Sequence, residues 1–356
     1  MTNYIEEYFV KYTQKYLPDF IIRFVIRIII YFYSLNKYEL NNEQHFANNI
    51  KKLNKSTYEV EKANEQHYEV ITDFFKLHLG KKLKYSSCEW NKNIKNIEEA
   101  EIYTINKYQK ELDLDKLPSG SNILEIGNGW GSLCLTNAKM YPNLNFYSFS
   151  NSKTQVEYIN KIILEENIIN LQTWKQDIDD FIKSNNDRLY DRIVSIECIE
   201  HCRAYNLLFE KMSNILQKDG KCFIQILGVK QNSRLMDNTS WIGRNFFTGG
   251  TVVSMNLFDY FNENLTIVKQ EIINGRYYSK TLDEWLYRMY DNREKIMELF
   301  KKEYGKDAEY RYQSWRLFYL MSSECFTPVP DKMRLLPRKL VNSDVYNNIN
   351  KTIIDD

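Results

Sequence analysis

The chain lacks a dominant charge: 48 lysines and arginines stand against 47 aspartates and glutamates in 356 residues. With no net field there is nothing global to draw it to nucleic acid or to an anionic membrane. No basic tract with interleaved aromatics is present either, so no nucleic-acid partner is expected. A disulfide framework is also missing. The six cysteines (Cys88, Cys134, Cys198, Cys202, Cys222 and Cys325) follow no secreted-domain spacing, and several lie inside apolar runs. That is the pattern of reduced thiols and a cytoplasmic location. Cys198-x-x-x-Cys202 flanks His201, but no second ligand pair follows, so no metal is expected. Long apolar runs are absent as well. The most apolar stretch, Phe20 to Leu35, is interrupted by Arg23 and Arg27 and falls short of the ~20 residues of a membrane span. The first residues are polar and of mixed charge, unlike a secretory leader. Arg23 and Arg27 are four apart and share one helical face. This predicts a packed amphipathic helix, with membrane-surface contact as the alternative. There is no internal repeat.

What the chain does have is NILEIGNGWGS, Asn122 to Ser132. The apolar run Ile123, Leu124, Ile126 reads as a buried parallel strand. Gly127, Gly129 and Gly131 follow at alternate positions, and Leu133, Leu135, Ala138 and Met140 continue with helical spacing. Strand, glycine turn and helix let a backbone approach a nucleotide-like cofactor. The spacing is G-x-G-x-G rather than G-x-G-x-x-G, and Glu125 precedes the first glycine. A dinucleotide would set a pyrophosphate on the helix N-terminus. An acidic residue at the loop suits a cationic cofactor without phosphate, such as S-adenosylmethionine; a glycine turn without a ligand is the alternative.

Strands and helices alternate from Asn122, with strands expected near 122–127, 145–150, 171–176, 190–197 and 221–228. This alternation is that of a doubly wound, mostly parallel α/β sheet. Lys218-Asp219-Gly220 reads as the turn launching the fifth strand. Residues 1–80 form an N-terminal helical extension, with helices at Tyr4–Tyr16, Phe20–Leu35 and Glu61–Leu79 and an Asn-rich linker from Asn41 to Lys55. The main domain covers 81–326. It includes the helix Ile97–Leu112, a substrate lid at about 230–262, a sixth strand at Leu265–Ile273 and long helices Ser279–Tyr304 and Ala308–Phe326. Residues 327–356, with three prolines and an Asn-rich end, read as an irregular tail.

Ligands in such sheets sit at the carboxyl ends of the strands, where several polar groups fall. Ser150, Asn151 and Gln155 follow the second strand, where a nicotinamide enzyme would carry an acidic residue. They suit ribose hydroxyls or the methionine end of the cofactor; Asn151 or Ser152 can equally cap the next helix. Asp177 and Ile178 end the third strand, as an acceptor and an apolar surface for adenine or as a helix cap. The fourth strand runs into Glu197, Glu200 and His201. Histidine can take a proton near neutral pH, and a neighbouring glutamate can orient it; a solvated loop is the alternative.

These stretches together carry a family resemblance. LKYSSCEW, LEIGNGWGSL, SNSKTQ, DRIVSIECIEH, WIGRNFFTGGT and GRYYSKTLDEWLYRM resemble, in order from about Leu83 to Phe326, the coclaurine N-methyltransferase and cyclopropane-fatty-acid synthase family. The resemblance implies a Rossmann-like class I methyltransferase fold with a helical substrate lid. It implies S-adenosylmethionine contacts at Tyr85, Ser86, Gly127, Asn151, Gln155, Asp177 and Ile178, to which the loop itself adds Glu125 and Gly129. By the same resemblance Glu197, Glu200 and His201 line the amine site and assist transfer, and Tyr278 stands beside the reacting centre.

Cyclopropane synthases quench a carbocation with bicarbonate, held in part by a histidine at the end of the fifth strand. That position here is Gln225, which departs from both branches. Ser87 replaces the synthases' usual cysteine and Glu197 their glycine; Glu197, NFFTGGT and SKTLDEW side with the N-methyltransferases. Asn128 replaces the usual cysteine in the glycine loop, where little effect is expected because the loop works through its backbone. The expected activity is therefore methyl transfer to a small amine. His201, oriented by Glu200, would take the proton, and Glu197 would attract the substrate cation. Phe246, Phe247 and Tyr278 would flank it, with plain lid core as the alternative for the two phenylalanines. The competing readings are transfer to an unsaturated phospholipid chain and a non-catalytic binding protein. A homodimer and peripheral membrane contact are compatible with either enzyme.

Overall fold

The computed structural model describes residues 7–36, 42–57, 71–185, 188–327 and 347–354. A π-helical turn (Phe9–Thr13) and a 3-10 turn (Gln14–Tyr16) precede helices α1 (Asp19–Asn36), α2 (Glu43–Ile50), α3 (Thr72–His78) and α4 (Ile97–Glu111). The expected helix Tyr4–Tyr16 thus contains a wider π turn followed by a tighter 3-10 turn in its described part. Of Glu61–Leu79 only α3 is helix among the described residues, and residues 58–70 lie outside them. The Asn-rich linker contains α2, which Asn42 starts by accepting from the N–H of His45, as an N-cap does.

The sheet alternates with helices: β1 (Asn122–Ile126), α5 (Ser132–Met140), β2 (Asn145–Ser150), α6 (Lys153–Glu165), β3 (Leu171–Lys175), α7 (Ile178–Lys183), β4 (Tyr190–Ile196), α8 (Tyr205–Asn214) and β5 (Leu216–Val229). All pairings within the order β3-β2-β1-β4-β5 are parallel. The central strands β1 and β4 are mostly buried, as helices cover both faces, whereas the edge strand β3 is more polar. The chain reverses direction across the sheet between β1 and β4, which opens a crevice at their carboxyl ends. Lys218-Asp219-Gly220 is not a separate turn. Leu216 pairs Tyr190 and Lys221 pairs Arg192, so these residues bulge out within β5.

The lid is less helical than expected. It contains the two-residue strand β6 (Arg234–Leu235), the short helix α9 (Trp241–Asn245), β7 (Thr251–Ser254) and a 3-10 turn at Leu257–Tyr260. β7 pairs parallel with Gly228 and Val229 at the end of β5, so part of the lid extends the sheet. After β8 (Thr266–Ile273), the expected helix 279–304 is two helices, α10 (Arg276–Asp291) and α11 (Arg293–Tyr304), broken at Asn292, and α12 (Ala308–Phe326) follows. The tail is not irregular throughout: β9 (Asn347–Ile354) runs antiparallel between β5 and β8. Without it the backbone of β5 would present an open edge.

The N-terminal helices pack on the last ones. Arg23 reaches Glu324 at 2.8 Å and Asp283 at 2.6 Å, and Arg27 reaches Glu324 at 2.5 Å. The Glu324 side chain is only 1% exposed. Removing one member of such a buried set costs on the order of 3–5 kcal/mol, because its partners stay buried and unpaired. The arginines thus turn inward, while Phe20, Phe24, Val25 and Ile29 are exposed. Among the described residues no helix is long and apolar enough to cross a membrane.

Candidate active site

A cavity of roughly 310 Å³ opens at the crevice between β1 and β4. Its floor is the glycine loop. Gly127 and Gly129 have φ of +82° and +49°, a region costly for residues with a Cβ. They are glycine for different spatial reasons. A Cβ at 127 would come within 2.7 Å of the Cys198 Cβ, whereas at 129 it would meet nothing within 4 Å and project into open space. Gly127 packs the loop against the turn after β4; Gly129 leaves room for a ligand.

Glu125, at the end of β1, lines the cavity with its Oε2 buried and without a protein partner. Burial pushes its carboxyl up to about 8, against weaker stabilisation from Cys134 and Lys84. Asn128 also lines the cavity, but its amide is buried and donates to Ser148 Oγ (3.1 Å) and Thr173 Oγ1 (2.7 Å), tying the loop to β2 and β3. The expectation that this side chain matters little is therefore corrected: it braces the loop.

Beyond β2, Ser152 caps α6 by accepting from the Gln155 N–H, which leaves Asn151 at the cavity wall. Gln155 Oε1 accepts from Ser150 Oγ at 2.9 Å, and its Nε2 is buried without a partner. Asp177 is a helix cap that leaves one oxygen over. Its side chain caps α7 through the N–H of Asp179, 2.8 Å from Oδ1, while Oδ2 is buried and unpartnered. Burial raises its carboxyl above the usual range. Ile178 lies beside it on the cavity wall.

The other half of the cavity is built by the turn after β4. Glu197 sits at φ +49°, a strained conformation for a residue with a side chain. Both its oxygens accept from the Ser87 N–H at 3.1 Å, and Oε1 also accepts from Gln225 Nε2 at 2.8 Å. The Gln225 amide is itself fixed, because Tyr108 donates its hydroxyl to Oε1 at 2.9 Å. Burial raises the Glu197 carboxyl, opposed by Lys84. Glu200 accepts from the Leu227 N–H and leaves Oε2 buried and unpartnered. Burial, then Glu197, pushes its carboxyl up to about 8. Burial lowers the pKa of His201, which keeps it neutral. The expected hydrogen bond from Glu200 to His201 does not form: Glu200 serves the β5 backbone instead.

All the anticipated residues line this cavity except Phe246. Phe246 is core, stacked on Phe318 at 4.3 Å and edge-on to Trp315, because the short helix α9 turns it inward and leaves Phe247 at the wall. Lys84, Thr57, Tyr108, Phe318 and Phe326 also line it and were not anticipated. Lys84 stands inside LKYSSCEW, so that signal was present; Thr57 had none. Among the described lining residues Lys84 is the one permanent cation, against Glu125, Asp177, Glu197 and Glu200. The site has unpaired buried acceptors and an excess of carboxyl groups, whose ionised forms a cation would stabilise. It fits a ligand carrying positive charge and N–H donors, as S-adenosylmethionine does.

The model of the mycolic acid cyclopropane synthetase family matches residues 55–328. The chain is 30% identical over 276 residues to (S)-coclaurine N-methyltransferase of Thalictrum flavum subsp. glaucum, covering 75% of each chain. It is 27% identical over 289 residues to pavine N-methyltransferase of the same plant, covering 79% of each. Its fold matches that of a coclaurine N-methyltransferase solved with N-methylheliamine and SAH, with a TM-score of 0.86, 24% identity and 99% of each chain covered. The chain belongs to the mycolic acid cyclopropane synthetase family of S-adenosylmethionine-dependent methyltransferases.

Proposed function

We propose that this enzyme methylates the nitrogen of a small amine with an apolar body. The observation that carries this reading is the Glu197 carboxylate, seated on the Ser87 N–H and the Gln225 amide. The resemblance places a bicarbonate-binding histidine of the cyclopropane branch at Gln225. Here the donors around that position are already taken by an anion of the chain itself. A fixed anion bars bicarbonate and attracts an ammonium.

S-adenosylmethionine supplies an electrophilic methyl on its sulfonium. Glu125 would pair with the ammonium of its methionine end, Asn151 and Gln155 would hold the ribose, and Asp177 Oδ2 would accept from adenine, with Ile178 against the ring. Tyr85 and Ser86 close the methionine end and Gly129 leaves space for it. On the acceptor side Glu197 draws in the amine as a cation. His201, neutral through burial, takes its proton. Phe247 and Tyr278 offer aromatic faces to the cation, and most of the rate comes from holding the reactants in line. Transfer to a phospholipid chain is the second reading, favoured only by the exposed apolar face of α1, which also supports peripheral membrane contact. The reduced cysteines support a cytoplasmic location. The test is the rate of amine methylation in bicarbonate-free and bicarbonate-supplemented buffer. The two rates should agree within about twofold; a requirement for bicarbonate would overturn the amine reading.

Glu125 also predicts a pH dependence. Its carboxyl ionises near 8 in the free protein, and pairing with an ammonium favours the ionised form. Binding therefore releases a proton below that value, and affinity for S-adenosylhomocysteine should rise from pH 6 to 8 by up to about tenfold per unit, then level off. For stability the sign is opposite. This raised carboxyl contributes stability below the unfolded value near 4.3, and that contribution is lost as pH rises towards 8. Titration calorimetry across this range checks the first point, and Glu125→Gln should flatten the profile.

A further inference from the structure

Ser56 and Thr57 stand about 70 residues ahead of the glycine loop, at the start of the family-matched region, yet both are buried against the start of α7. Their backbone is held on several sides. Asp179 accepts from the Ser56 N–H at 2.6 Å and the Thr57 N–H at 3.2 Å. The Arg203 N–H donates to the Ser56 carbonyl at 2.8 Å, and Thr57 forms a β-bridge with Cys202. The segment is thereby stitched to the two turns that build the cavity, those after β3 and β4.

The Thr57 side chain goes further than this stitching requires. Its hydroxyl lies 2.7 Å from Asp179 Oδ2 and 3.0 Å from Asp177 Oδ1, and Thr57 is itself part of the cavity wall. A hydroxyl has one hydrogen, so it is shared between the two carboxylates. Asp177 Oδ1 also accepts from the Asp179 N–H at 2.8 Å. With Oδ1 held from two directions the plane of the Asp177 carboxylate is fixed. Its other oxygen, Oδ2, is buried with no protein partner.

We propose that Thr57 is a positioning residue for the cofactor's adenine: its hydroxyl clamps Asp177 so that Oδ2 accepts from the 6-amino group. The segment around Thr57, far ahead of the glycine loop in sequence, is then part of the cofactor site. This rests on the reading of Asp177 given under the proposed function. Supporting groups that fix the rotamer of a binding residue gain affinity by removing alternatives before the ligand arrives.

The test is isothermal titration of the full-length protein with two ligands: S-adenosylhomocysteine, and its analogue with hydrogen in place of the 6-amino group. The wild type should prefer the first. Thr57→Val should weaken S-adenosylhomocysteine by about tenfold and leave the analogue within about twofold. Thr57→Ser, which keeps the hydroxyl, should restore wild-type binding of both. If Thr57→Val does not fold, judged by its thermal transition, Thr57→Ala removes the same hydroxyl without a branched replacement. Equal loss of both ligands would mean that Thr57 only anchors the segment, and unchanged S-adenosylhomocysteine binding would mean that it does nothing for the cofactor; either overturns the proposal. A wild type that binds the two ligands equally would overturn the Asp177 reading itself, and the proposal with it.

Discussion

Glu197→Gln is expected to lower kcat/KM for amine methylation by about 100-fold while leaving S-adenosylhomocysteine affinity within about threefold. The size follows from what the substitution removes. Taking one partner from a close, desolvated charge pair costs on the order of 2–5 kcal/mol, and 2.7 kcal/mol of barrier is about 100-fold in rate. Glutamine keeps the volume of Glu197 but not its charge. With its amide oxygen at the Oε1 position it still accepts from the Ser87 N–H and Gln225 Nε2, and the new NH2 faces only the Ser87 N–H, from which Oε2 of Glu197 also accepts. The cost thus falls on the acceptor side, with the cofactor half untouched. A loss below about threefold in a steady-state assay would show that Glu197 is not the counter-ion of the substrate.

Gly129→Arg should abolish cofactor binding, weakening S-adenosylhomocysteine by more than about 100-fold, in a protein that still folds. The two glycines of the turn differ here. A side chain at Gly127 would collide with Cys198, whereas one at Gly129 enters open space in the cavity. Arginine at 129 pays only the strain of a positive φ, on the order of 1–2 kcal/mol. It would fill the room left for the ligand and pair with carboxylates that the cationic ligand would use. Titration calorimetry beside a thermal melt checks both halves. Retained binding would mean that the loop does not face the cofactor.

Much of this site could be read from local sequence because it follows from local geometry. The strands alternate with helices, and the polar groups at the carboxyl ends of β1, β2, β3 and β4 fall at one edge of the sheet by topology alone. That is why Glu125, Asn151, Gln155, Asp177 and the Glu197–His201 turn were visible. What stayed hidden depends on contacts between distant segments. Thr57 reaches the cavity only because its segment docks on α7, and Tyr108 only because α4 packs against β5. β9 escaped notice because its asparagines (Asn347, Asn348 and Asn350) read as an irregular tail and mask the β-branched Ile349, Thr352, Ile353 and Ile354; its backbone pairs with β5 and β8. Phe246 and Phe247 are adjacent and chemically alike, and only the direction of the turn after α9 decides which one faces the cavity. Asn128 was misjudged for a related reason: its side-chain partners, Ser148 and Thr173, lie on other strands.

The most direct test of the central claim is the fate of a labelled methyl group. Full-length protein would be incubated with methyl-labelled S-adenosylmethionine and a panel of small apolar amines, and in parallel with unsaturated phospholipid vesicles, with Gly129→Arg as the control. Catalytic label on amine nitrogen, absent from the control and absent from the vesicles, is the predicted result. Label in the lipid chains and none on any amine would contradict it.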